Sequence, residues 1–175
     1  MEMTMAAQVP RAMQLFVYGT LKSGCCNYER HCSMAVHREK AWLWGRIYHL
    51  DRDEGYPMVE INREAILARG SDRPEIDALF ECEPGSDDKP DGDWDLIEGE
   101  LMQFDRPERD VPRIDLLEAF RPDGAGLYSR VLTTVSTESG RQVAWTYIRE
   151  REHDGRRLHP DHSGTVCWRP PNVIS

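Results

Sequence analysis

Three groups of residues have the types and spacing to do chemistry. The first is Gly19-Thr20-Leu21-Lys22-Ser23-Gly24, a loop with a glycine at each end, where the backbone can turn tightly and approach a ligand. Its glycine spacing is that of a phosphate loop, yet Cys25-Cys26 stand where Lys and Ser/Thr belong. Without that lysine nothing reaches a terminal phosphate. What remains is a set of adjacent backbone N–H groups at the end of a strand, suited to a carboxylate or a developing oxyanion. An ordinary turn is the plain alternative. The second candidate is Glu118, which the i, i+3, i+4 rule places on one helical stripe with Ile114 and Leu117. A glutamate on a core-facing stripe loses hydration, its neutral form gains, and it becomes a proton shuttle near neutral pH. The alternative is a stripe-edge glutamate bonded to Arg121 or Arg130. Asp115 and Arg113 fall off the stripe and read as solvated.

The third group is Cys25, Cys26, His31, Cys32 and His37. Structural zinc sites use a C-x₂₋₄-C pair that recurs, whereas here two cysteines are adjacent and no second pair exists, so no metal is expected. Cys82 and Cys167 are isolated. His153, His159 and His162 read as solvated in a charged tail. Trp42, Trp44, Trp145 and Tyr147 sit at strand spacing and read as core.

The elements that must position these residues are mostly strands. Leu15-Phe16-Val17-Tyr18 is a short apolar run ending at Gly19, the mark of a strand buried on both faces. Residues 42–50 alternate, with Leu43, Gly45, Ile47 and His49 on one face and Trp42, Trp44, Arg46, Tyr48 and Leu50 on the other. Turn residues 51–55 lead to a short strand at 56–59. From 62 to 80 the pattern is poor, and 83–93 is an acidic surface loop. Strands follow at 95–104, 128–135 and 141–148, the last two joined through Thr137-Glu138-Ser139-Gly140 as a hairpin. One helix is expected over 111–120, with Asp110 as N-cap and Pro112 in its first turn. The tail from Arg149, including Trp168-Arg169-Pro170-Pro171, reads as an extension on the surface, and residues 1–12 as a fraying start. The class is α+β, its strands curling into a small barrel.

Composition narrows the function. A length of 175 residues fits a single domain, 1–175, and 39 % apolar residues suit a packed core. Acids outnumber bases 31 to 22, for a charge of −9, so the basic footprint of a nucleic-acid binder is missing. No apolar run approaches the ~20 residues of a membrane span. No basic n-region feeds an apolar h-region, so no secretory signal is expected. Five cysteines, unevenly placed, read as reduced thiols in a cytoplasm.

Phe16-Val17-Tyr18-Gly19-Thr20-Leu21-Lys22 with Gly24 and Asn27 resembles the opening signature of the γ-glutamyl cyclotransferase-like family, which includes AIG2-like proteins and γ-glutamylamine cyclotransferases. Gly45-Arg46-Ile47-Tyr48 with Tyr56-Pro57 is similar to its G-x-L-Y and Y-P. Glu98-Gly99-Glu100-Leu101 resembles its G-E strand, Ile114-Asp115-Leu116-Leu117-Glu118 with Tyr128-Ser129-Arg130 its L-D-x-x-E … Y-x-R, and Trp145-Thr146-Tyr147 its W-x-Y. The resemblance covers about 15–148 and leaves 149–175 as a C-terminal extension. It implies a small mixed β-barrel with flanking helices and cyclisation of a γ-glutamyl amine or amide to 5-oxoproline with release of the amine. It also implies Glu118 as the acid/base, and a pocket lined by Gly19, Thr20 and Leu21, with Tyr18 and Tyr128 orienting the substrate. No cofactor or metal is implied, and the partner is a small γ-glutamyl molecule. Ala119 stands where the family often has Gly, and 60–95 is longer than in compact members. A non-catalytic ligand-binding or protein-interaction module on the same fold is the alternative.

Overall fold

The computed structural model describes residues 11–51 and 55–170. The expected fraying start up to residue 10 and the middle of the 51–55 turn lie outside the described residues. Five strands close on one another. β1 (Met13–Val17) pairs antiparallel with β5 (Asp95–Phe104) and parallel with β7 (Gly140–Ile148). β2 (His37–Leu50) pairs antiparallel with β5 along nine positions, His37↔Gln103 to Gly45↔Asp95, and with β6 (Ser129–Thr137) at Ala41↔Thr137. β6 and β7 form the expected hairpin, ending at Thr137↔Gly140. The circuit β1-β5-β2-β6-β7 is therefore a mixed barrel, and closure removes free strand edges. Gly99 lets β5 run against β1, since a Cβ there would stand 2.4 Å from the Val17 carbonyl oxygen.

β1 is buried on both faces, as its unbroken apolar run predicts. Phe16 belongs with Leu43, Ile47, Ile97, Val131 and Trp168 in one apolar cluster. Leu15 and Val17 point the other way, into a second cluster with Val111, Ile114, Trp145 and Tyr147. The alternation of β2 also holds, with Leu43, Gly45 and Ile47 facing in. Trp42 and Trp44, read as core, are instead on the half-buried outer face. Trp44 is met there by the acidic 83–93 loop: its indole donates to the Asp87 carbonyl at 2.9 Å. Trp145 and Tyr147 are core, as read.

Shorter elements decorate the barrel: α1 (Tyr28–His31), β3 (Tyr56–Glu60) on β2, β4 (Ala68–Arg69) on β6, and α2 (Pro74–Asp77). The longest helix, α3 (Pro107–Leu117), begins a turn earlier than its sequence suggests. Pro107, not Pro112, takes the first helical position, where a missing N–H costs nothing. Asp110 is no N-cap; it is buried inside the helix and paired with Arg109 at 2.6 Å.

The tail departs most from expectation. β8 (Arg156–Arg157) pairs with β2 and β9 (Thr165–Val166) runs parallel to β5. Trp168, placed on the surface by its charged neighbours, is 2 % exposed. Its indole donates to His49 Nδ1 at 3.1 Å and its carbonyl accepts from Lys22 Nζ at 2.7 Å. His153, read as solvated, is packed edge-on to Tyr48 and bonded to Glu60 at 2.8 Å, while His159 and His162 are exposed as read. Trp168→Ala is therefore expected to lose about 3–5 kcal/mol in urea unfolding, whereas a mere surface extension would lose under ~0.5 kcal/mol.

Candidate active site

A cavity of about 520 Å³ opens where β1 ends, between the 19–24 loop, Tyr56-Pro57 of β3 and the C-terminal end of α3. The loop is fixed by its own backbone: Lys22 N–H donates to the Gly19 carbonyl at 3.1 Å and Asn27 N–H to that of Thr20 at 3.0 Å. The Asn27 side chain donates to Thr20 Oγ1 at 3.0 Å, closing the turn a second time. Gly19 is obligatory here, because a Cβ would meet Pro57 Cγ at 2.4 Å. Gly19, Thr20 and Leu21 line the cavity, and among the described residues their three N–H groups have no hydrogen-bond acceptor in the protein. A donor set left open at a cavity is more than an ordinary turn requires.

Glu118 enters the same cavity from α3 as its C-cap residue. The helix ends in a Schellman motif, with Phe120 N–H on the Asp115 carbonyl at 2.9 Å and Ala119 N–H on that of Leu116 at 3.2 Å. Ala119 carries the left-handed residue of that motif, φ +47°. The position where the family often has Gly is thus one where a Cβ is strained.

Asp115, read as solvated, is a half-buried hub; Arg113 is exposed as read. Asp115 accepts from Arg130 Nε at 2.9 Å and from the Tyr147 hydroxyl at 2.6 Å. Arg130 is 1 % exposed and also bonds Asp77 at 2.9 Å and the Ser71 carbonyl at 2.7 Å. Phe120 and Trp145 lie against its guanidinium, 4.9 and 5.5 Å from their ring centroids. Arg121 pairs with Asp123. Neither cation proposed as a structural partner for Glu118 reaches it. Among the described residues the Glu118 carboxyl has no hydrogen-bond or ion-pair partner, although the residue is partly exposed through the cavity. Loss of hydration, and secondarily the negative Asp115, push its pKa up to about 7.

Tyr18 and Tyr128 line the cavity, with hydroxyls donating to the Tyr147 carbonyl at 2.6 Å and the Pro57 carbonyl at 2.8 Å. Burial pushes both phenols above their ordinary range, so they stay neutral. Tyr147, Asn27, Pro57 and Leu127 also line the cavity and had no site signal in the sequence beyond the Y-P, G-x-x-N and W-x-Y fragments. No Lys, Arg or His lines it among the described residues.

Of the other sequence candidates, Cys26 alone reaches the cavity among the described residues. Glu98 is 3.5 Å from Lys40, and Glu100 accepts from Ser23 N–H and Oγ, bracing the loop from behind. In the thiol and imidazole group, Cys32 is buried with its thiol pushed up to about 12, while Cys26 is exposed at the cavity. No cluster of three or more His, Cys, Asp or Glu with metal-holding geometry occurs among the described residues.

A small closed mixed barrel whose cavity joins a strand-end loop to a helix-end carboxyl defines the class. The chain belongs to the gamma-glutamyl cyclotransferase, AIG2-like family, which it matches over residues 15–79 and 84–169. The match runs through Trp168, past the residue-148 limit that the sequence suggested. The fold is similar to that of an AIG2-like protein from Mus musculus, at 14 % identity and a TM-score of 0.51 over 93 % of this chain and 99 % of that one. It also aligns with YkqA from Bacillus subtilis, at 21 % identity and a TM-score of 0.48 over 79 % of this chain. The chain spans about a third of YkqA, 36 % of its length. No curated protein sequence matches significantly.

Two expectations follow. Ala119→Gly should stabilise the fold by up to ~1 kcal/mol in urea unfolding, since glycine relieves the left-handed strain. For Glu118, a folded-state pKa near 7 against an unfolded 4.5 stabilises the fold below about pH 4.5, and that stability is lost as pH rises through 7. Glu118→Gln should therefore gain on wild type between pH 5 and pH 8, by up to ~3 kcal/mol. Parallel pH profiles for the two proteins would remove the assignment of a buried titrating carboxyl.

Proposed function

We propose that the chain is a γ-glutamyl cyclotransferase that converts a γ-glutamyl amine or amide to 5-oxoproline and the free amine. The observation that carries this reading is the unpaired Glu118 carboxyl, poised near neutrality, in one cavity with the open N–H groups of Gly19, Thr20 and Leu21. The substrate's α-amine attacks its own γ-carbonyl, so positioning alone supplies a large share of the rate. Glu118 takes the proton from the attacking nitrogen and returns it to the departing amine. The loop N–H groups hold the substrate's carboxylate or the oxygen that gains charge, where one lost donor costs ~3–4 kcal/mol in the transition state. Tyr18 and Tyr128 shape the walls. Their hydroxyls already donate to the main chain, which leaves them lone pairs with which to accept from the substrate ammonium.

The cavity also limits the leaving amine. Among the described residues it has no cationic side chain, and Leu117 and Leu127, 39 % and 37 % exposed, line it with apolar surface. A γ-glutamyl amino acid would bring a second carboxylate to that wall, with desolvation uncompensated. Neutral amines fit better. The free cysteines agree with a reducing compartment such as cytoplasm.

The test is 5-oxoproline release from a panel of γ-glutamyl amines and γ-glutamyl amino acids. We expect turnover, with amines favoured, and a kcat/KM that climbs as pH rises through about 7, because the base form of Glu118 is required. Glu118→Gln should lose ~100-fold or more while still binding 5-oxoproline, and Glu98→Gln should keep most activity. Tight product binding with no turnover of any panel member would favour the non-catalytic binding module instead.

A further inference from the structure

Lys22 is an unusual place to bury an amine. It is 8 % exposed, yet among the described residues no carboxylate lies within ion-pair distance of it. Its Nζ is held instead by the Trp168 carbonyl at 2.7 Å and by the Cys167 sulfur at 3.2 Å. Lys22 and Cys167 are far apart in the chain, the first in the strand-end loop and the second in the docked tail. They meet in a cleft of about 440 Å³, separate from the active-site cavity, that is also lined by Cys25, Arg38 and Lys40. Cys167 is half-buried, so a small oxidant entering the cleft reaches its sulfur.

We propose that Lys22 and Cys167 form a redox-controlled covalent cross-link, an oxygen-bridged N–O–S link, with hydrogen peroxide as the oxidant. The sulfur attacks one peroxide oxygen: an S–O bond forms, the O–O bond breaks, water leaves, and Cys167 becomes a sulfenic acid. Lys22 gives up its proton to solvent, and the neutral amine attacks an oxygen of a second peroxide: an N–O bond forms, the O–O bond breaks, water leaves, and a hydroxylamine results. The hydroxylamine oxygen then attacks the sulfenic sulfur and expels the third water. Overall one thiol, one ammonium and two peroxides give the bridge, three waters and one proton, with sulfur and nitrogen each giving up two electrons. At the observed N···S separation an inserted oxygen spans the gap with less movement than a direct S–N bond. Two features favour this pair. The carbonyl of Trp168 fixes the amine beside the sulfur, and the burial of the Trp168 ring holds Cys167 in place. The bridge would tie the tail to the strand-end loop, where the Lys22 N–H bonds the Gly19 carbonyl. A cross-link joining residues 22 and 167 encloses most of the chain and restricts the unfolded state.

The experiment uses the full-length protein, reduced, desalted, exposed to hydrogen peroxide and examined by intact mass and peptide mapping. The expected product is one oxygen heavier and two hydrogens lighter, its Lys22 and Cys167 peptides joined, and it reverts with dithiothreitol. Its unfolding midpoint in urea should rise above that of the reduced protein and fall back on reduction. Cys167→Ser and Lys22→Arg should each abolish the product, and Cys25→Ser should leave it intact. A Cys25–Cys167 disulfide, a joined pair that has lost two hydrogens without gaining oxygen, or Cys167 found only as sulfinic or sulfonic acid would each overturn the proposal. None of these readouts depends on catalytic turnover, so the outcome stands apart from the proposed reaction.

Discussion

The structure turns on one buried guanidinium. Arg130 has no solvent to fall back on, and a charge so placed persists only if every donor is met. Asp77 and Asp115 supply opposite charge, Ser71 supplies a carbonyl, and Phe120 and Trp145 cover the faces of the group. These partners come from α2, α3, the turn after α3, β7 and the loop before α2. One cation therefore fixes the outer elements against the barrel at a single point. Breaking it would leave two largely buried carboxylates without their cation, a loss of several kcal/mol in comparable pairs.

The same contact decides what Glu118 can do. Asp115 and Glu118 are three residues apart on one helix, so both lean toward the barrel, and a single guanidinium is available between them. Helix register awards it to Asp115, which the Tyr147 hydroxyl also binds. Had Arg130 reached Glu118, the carboxyl would be held ionised and unable to cycle a proton near neutral pH. Left without a cation, and with Asp115 nearby, Glu118 is pushed up to about 7. The ion pair thus acts on the candidate site by withholding charge from it.

What was legible in the sequence follows from periodicity and length. β2, β5, β6 and β7 are long enough to show their pattern, and the Ile114–Glu118 stripe pointed to Glu118 as a carboxyl that loses water. Elements of two to four residues, such as β4, α2, β8 and β9, complete no period and stayed hidden. Period two assigns residues to faces without saying which face is covered, so Trp42 and Trp44 were misread: both lie on the half-buried outer face, where a polar loop meets Trp44. Asp115 was misread for a related reason. A charged residue beside an apolar stripe looks solvated until its partner, here on a distant strand, is known. Trp168 was misjudged from its charged neighbours, whereas a tryptophan can be buried alone if its indole finds an acceptor such as His49.

The two halves of the cavity are complementary for a physical reason. No cation lines the cavity among the described residues, so in the proposed reaction a substrate carboxylate is met by backbone dipoles. Such dipoles are free where the chain leaves a strand and makes no further ladder bonds, which is where Gly19, Thr20 and Leu21 sit. Gly19 lets that turn press against Pro57, and Asn27 and Glu100 hold it from either side. A cation in the cavity would bind an anionic ligand more strongly, but it would also depress Glu118 into its ionised form. Open N–H groups attract the ligand's negative charge without adding a full positive charge beside the carboxyl. In the proposed reaction, substrate binding and a proton-active glutamate can therefore coexist in one small, mostly apolar space.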